Sequence, residues 1–129
     1  MAKKKESNKE KAAKAIAKLW GGIEDEQFDL LLEHIELKKF KKGELIYQNE
    51  QLPTEAMCLL TGKVKIFKDG ISGKNQIIRV IKPLEFFGFR AYFADEIYKT
   101  AAMSLDNCVV ASFPIAVLMK LLQKSFNIG

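Results

Sequence analysis

The chain has 129 residues, 48% of them hydrophobic, with nine Phe and a formal net charge of +5, which is the size of one domain with material for one core. No apolar run approaches the roughly 20 residues of a membrane helix, and the basic start is not followed by the apolar segment of a secretory signal, so the expectation is a cytoplasmic protein with no membrane partner. Two Cys are too few for a four-Cys zinc or iron–sulfur site, and Cys58 and Cys108 both lie in apolar strand-like runs, which predicts buried, reduced thiols.

Residues 1–10 are polar, basic and without pattern, and read as a disordered basic tail, with a single domain over 11–129. Residues 1–18 carry seven Lys and two Glu, the whole of the net charge, while the rest of the chain balances 14 basic against 14 acidic residues. A solvated tail explains that charge without nucleic acid. Ala12, Ile16, Leu19 and Trp20 recur at helical spacing, Gly21-Gly22 stops the helix, and Trp20 is placed to anchor it. Glu24-Asp25 opens a second helix with Asp25 as its cap, and Phe28, Leu31, Leu32 and Ile35 form one buried face. His34, the only His, lies just off that face as a surface residue, so no catalytic triad or His-based metal cluster can form around it.

After Ile35 the period shortens. Leu37, Phe40, Leu45 and Tyr47 lie in short runs broken at Lys42-Gly43, and Gln51-Leu52-Pro53 is another turn. Ala56 to Leu60 is an apolar strand, Lys63 to Lys68 alternates Lys outward with Val64 and Ile66 inward, and Asp69-Gly70 with Ser72-Gly73 connects it to a return strand over Gln76 to Ile81. That alternation puts Arg79 on the face of Ile77 and Ile81, either pointing into a pocket or snorkelling to its rim. Phe86, Phe87, Tyr92 and Phe93 are expected in the core. Ala101 to Leu105 and Cys108 to Phe113 are strands, and Pro114 opens a last helix with Ile115, Leu118, Met119 and Leu122 on one face.

Between Phe86 and Ala102 the chain reads FFGFRAYFADEIYKTAA. A Gly, a one-turn helix over Phe89 to Ala94, and then Lys99, Thr100 and two small residues suit an anion: helix-start N–H groups face it, a cation completes the charge, and small residues let the backbone approach. Many short strands with regular turns and helices at both ends indicate a small β-barrel or jelly roll around this loop.

The run FKKGELIYQNEQLPTEAMCLLTGKVKIF (Phe40 to Phe67), with Lys42-Gly43 and Ile46, then Gly62-Lys63-Val64, then Phe87-Gly88 and the loop to Lys99-Thr100-Ala101, resembles a cyclic-nucleotide-binding domain. More narrowly, it resembles the sensor domain of CRP/FNR-type transcription regulators, over residues 20 to 126. The resemblance implies a mainly β fold with flanking helices, an eight-stranded double-stranded β-helix (jelly-roll) barrel. It also implies a ligand pocket roofed by the Gly88 to Ala101 loop and a regulatory, non-enzymatic role. The ligand residues it points to are Gly88, Phe89, Arg90, Ala91, Lys99, Thr100 and Ala101, with Arg79 as an added charge.

Two departures qualify the likeness. The family's ribose-binding Glu is Phe89, which could fill the sugar's space, and its phosphate-binding Arg is Lys99. The remaining cation, hydroxyl and N–H groups favour a small anionic effector or none, and tight cyclic AMP binding is not expected. No helix-turn-helix is found, so DNA contact and the homodimer of such regulators would belong to a longer protein of which this is a sensor fragment; the competing reading is a stand-alone protein-interaction domain with a vestigial pocket.

Overall fold

In the computed structural model, which describes residues 7–69 and 75–126, the strand β3 (Glu55–Thr61) is covered on both faces. Ala56 and Cys58 face a core built with the helices, and Met57 and Leu59 face a second core between two sheets. The period-2 geometry of a strand explains how one apolar run serves two cores. Its neighbour β8 (Cys108–Pro114) does the same, with Ala111 and Phe113 on the helical side and Cys108 and Val110 on the other.

Two four-stranded antiparallel sheets enclose the inner core. One runs β1 (Glu36–Phe40), β8, β3 and β6 (Phe86–Phe87); the other runs β2 (Leu45–Tyr47), β7 (Ala101–Ser104), β4 (Val64–Asp69) and β5 (Asn75–Ile81). This is the mainly β jelly roll with flanking helices that the strand pattern predicts. The turn before β4 depends on Gly62, at φ +97°, where a Cβ would press on the Asn107 carbonyl and Cys108 Sγ. Both Cys are buried and unbridged, and burial pushes the Cys58 thiol up to about 12.

The helices α1 (Asn8–Leu19), α2 (Asp25–His34) and α4 (Ile115–Phe126) cover the first sheet. Buried Gln27 fastens two of them: its amide donates to the Leu121 carbonyl at 3.2 Å and its side-chain oxygen accepts from the Glu24 amide at 3.0 Å. These bonds, one at the nitrogen and one at the oxygen, offset the cost of burying the amide. Trp20, at the end of α1, stacks on Phe86 with ring centroids 5.6 Å apart, so it is the anchor expected of it.

Several local expectations change. Residues 8–10, assigned to the disordered tail, are helical, because Ser7 and Glu10 form a reciprocal capping box. The cap of α2 is Glu24, not Asp25, which is the first helical residue. Pro114 closes β8 instead of opening α4, whose first amide, that of Ile115, donates to Thr54. Ile77 and Ile78 are both exposed while Ile81 is buried. The pairing steps from Ile66–Arg79 to Phe67–Ile77, leaving Ile78 as an extra residue that breaks the expected alternation around Arg79. Tyr92 and Phe93 are 45% and 50% exposed instead of core residues. The connection through Gly70, Ser72 and Gly73 and the side chain of Leu122 lie outside the described residues. Among the described residues no helix is long and apolar enough to cross a membrane.

Candidate functional site

Beyond β6 the chain turns at Gly88, forms the single turn α3 (Arg90–Phe93) and returns to β7. Asp95, at φ 56°, ends α3, with its amide on the Tyr92 carbonyl and the Glu96 amide on Ala91. The return is then held against the 48–51 turn: the Tyr98 amide donates to Gln51 at 3.0 Å and the Tyr98 carbonyl accepts from Glu50 at 2.7 Å. Under this roof lies a cavity of about 330 Å³, lined by Tyr47, Ile66, Ile78, Arg79 and Phe87 from the barrel and by Gly88, Ala91, Ala94 and Glu96 to Thr100 from the roof. That is the small end of the roughly 300–1,000 Å³ typical of small-molecule sites.

Two tyrosines form its inner wall. Tyr47 and Tyr98 stack with centroids 3.9 Å apart and planes 14° from parallel. The Tyr98 hydroxyl donates to the Gly88 carbonyl at 2.6 Å. Burial pushes the Tyr47 hydroxyl up, with Thr100 opposing, and pushes Tyr98 up with help from the charges of Tyr47 and Glu55. Gly88 sits at φ +85°, and a Cβ there would run into the Met57 methyl, so the roof starts where only glycine fits without strain.

Of the residues singled out from sequence, Gly88, Ala91, Lys99, Thr100 and Arg79 meet at this cavity. Arg90 opens α3. Ala101 is buried in β7 opposite Phe67 and lies off the cavity. Phe89 does not fill the space: it packs on the helical core and meets Phe93 edge to face, centroids 6.2 Å apart, because that core offers it apolar neighbours outside the barrel.

The charge balance also differs from expectation. Lys99 Nζ lies 2.8 Å from Glu96 Oε2, with 69% and 43% of the two side chains exposed. Arg79, at the rim and 42% exposed, donates to Glu85 Oε2 at 3.2 Å. The Lys82 amide, with Arg79 assisting, holds the Glu85 carboxyl below its usual range. Lys99 and Arg79 therefore each have a resident carboxylate. Glu96, Tyr47 and Tyr98 carry much of the geometry, and sequence reasoning did not select them. Glu96 was legible as an acid three residues from Lys99, whereas no local spacing announces the Tyr47–Tyr98 stack. Among the described residues no group of three or more His, Cys, Asp or Glu side chains is placed to hold a metal.

The family model for the cyclic nucleotide-binding domain matches residues 37–125. An uncharacterised protein of Haemophilus influenzae is 32% identical over 80 residues, 61% of this chain and 62% of its own length. The sensor domain of the transcriptional regulator DNR from Pseudomonas aeruginosa superposes with a TM-score of 0.80 at 19% identity, over 89% of this chain and 79% of that one. The regulatory subunit of a cAMP-independent protein kinase A from Trypanosoma cruzi, bound to guanosine, superposes at 0.76 and 12% identity, over 88% of this chain and 41% of that one. At these identities the two structures establish a shared fold.

Proposed function

Because this chain belongs to the cyclic nucleotide-binding domain family, we propose that it is an effector-sensing domain, the regulatory and non-catalytic part of a CRP/FNR-type transcription regulator. The observation that carries this reading is the open cavity beneath Gly88, which keeps its apolar and aromatic walls although Phe89 and Lys99 replace the expected ligand residues. A small molecule there touches β4, β5 and the roof at once. It favours whichever arrangement of the roof binds it better, and the size of the response is set by that difference in affinity. The roof leads back through Phe86 to Trp20, hence to α1.

In this reading the domain works in the cytoplasm and its intact regulator is a homodimer that contacts DNA through another domain. A small molecule is its partner, and a tightly held cyclic AMP is not. The sensor domain of DNR and the guanosine-bound kinase subunit support the reading, since the same fold serves a transcriptional regulator in one and holds a nucleoside in the other.

Trp20 is the only Trp, so its fluorescence reports on Phe86. Titration with guanosine, cyclic AMP and cyclic GMP, with amide shifts of Gly88, Tyr98 and Thr100 followed by NMR, tests the proposal. A saturable change at those amides supports it, and no change with any small molecule favours a vestigial pocket. The second reading, a protein-interaction domain, is favoured by the exposed Leu52, Tyr92, Phe93 and Ile97 beside the roof.

A further inference from the structure

We infer that Glu96 is the specificity-determining residue of the cavity: as the resident counter-ion of Lys99, it turns the site against anions and toward uncharged ligands. The inference rests on the cavity being a ligand site, as proposed above. The Glu96 carboxylate, 2.8 Å from Lys99 Nζ, occupies the contact that a ligand's anionic oxygen would make. The pair is an exposed one between neighbours three residues apart, and the Glu96 backbone that carries it is fixed by the bond from its amide to Ala91 and by the left-handed turn at Asp95.

Two further polar side chains of the cavity are committed in the same way. Arg79 is engaged by Glu85, and the Tyr98 hydroxyl donates to Gly88. No buried side-chain nitrogen or oxygen among the described residues lacks a partner. An incoming anion must therefore displace Glu96 and leave two negative charges side by side, or sit against a pair that is already neutral. An uncharged ligand meets neither penalty and keeps the stacked tyrosines and the walls of Ile66, Ile78 and Phe87. Exposed ion pairs contribute little to stability, so removing this one leaves the fold intact while changing what the cavity accepts.

The test uses the full chain, wild type, Glu96→Gln, and Glu96→Gln with Lys99→Gln, titrated with cyclic AMP and with adenosine at two salt concentrations. The expected result is that Glu96→Gln binds cyclic AMP about tenfold more tightly, about 1.4 kcal/mol. Adenosine affinity should stay within about twofold, because an uncharged ligand does not feel the charge. The gain should shrink at high salt and vanish when Lys99 is also replaced, which a merely structural role would not produce. Unchanged cyclic AMP affinity in Glu96→Gln, with adenosine still bound, overturns the inference and leaves the ligand site standing. Binding of neither probe to any variant overturns both.

Discussion

The Tyr98 hydroxyl donates to the Gly88 carbonyl at 2.6 Å, closing the roof of the cavity from its last residues back to its first. Without that bond the half-buried carbonyl at the left-handed turn loses the hydroxyl that donates to it. Tyr98→Phe is expected to cost about 1–2 kcal/mol in urea denaturation and to raise hydrogen exchange across 88–98 more than elsewhere. Uniform exchange through the domain would show that the roof does not depend on this bond.

Gly88→Ala tests the same corner from the backbone. The Met57 methyl is the far end of a flexible side chain and can swing aside, but φ +85° remains. A cost of about 1–2 kcal/mol is expected from the left-handed conformation alone. A variant as stable as wild type would mean that the turn at Gly88 is not held in that conformation in solution.

Stability should fall at alkaline pH. Tyr47 and Tyr98 titrate above their ordinary 10.0 when folded, and Cys58 above its ordinary 9.0, at about 12. The unfolded chain therefore loses these protons first, and ∂ΔG/∂pH is negative between the unfolded and folded values. Stability is full below about pH 9 and declines as pH climbs toward the folded values. Urea midpoints at pH 8 and pH 10.5 should differ clearly, and Cys58→Ala should narrow the gap. Equal midpoints would contradict the burial of these groups.

The stack of Trp20 on Phe86 ties α1 to the strand that enters the roof. Trp20→Ala should cost about 2 kcal/mol, below the 3–5 kcal/mol of a fully buried aromatic, because Trp20 is only partly buried. A protected roof together with unchanged stability would remove α1 from the path proposed for the signal.

The sequence carried the fold well because its signals are local. Alternation around Val64 and Ile66, the Gly21-Gly22 pair and the Phe28–Ile35 face all report on neighbours in the chain. It carried Lys99, Thr100 and Gly88 as well, since their order and spacing survive. It failed where distant segments decide the outcome. Phe89 could go to the barrel or to the helices, and only the helical core beside Phe93 settles its direction. The alternation expected around Arg79 was broken by one inserted residue, Ile78, which a strict two-residue period does not register, although Arg79 still lines the cavity at its rim. The sequence reading counted the cations Lys99 and Arg79 without the carboxylates that pair with them, Glu96 and Glu85.

In the proposed reading the cavity beneath Gly88 does not hold a cyclic phosphate tightly. Phe89 offers the ribose no acceptor, and Lys99 offers phosphate a single point already shared with Glu96. Calorimetric titration of the wild-type chain with cyclic AMP at physiological salt tests this directly. The predicted dissociation constant is weaker than about 10 μM, roughly −7 kcal/mol. A value below about 10 μM would contradict the account and mean that Lys99 and the roof amides hold the cyclic phosphate in spite of Glu96.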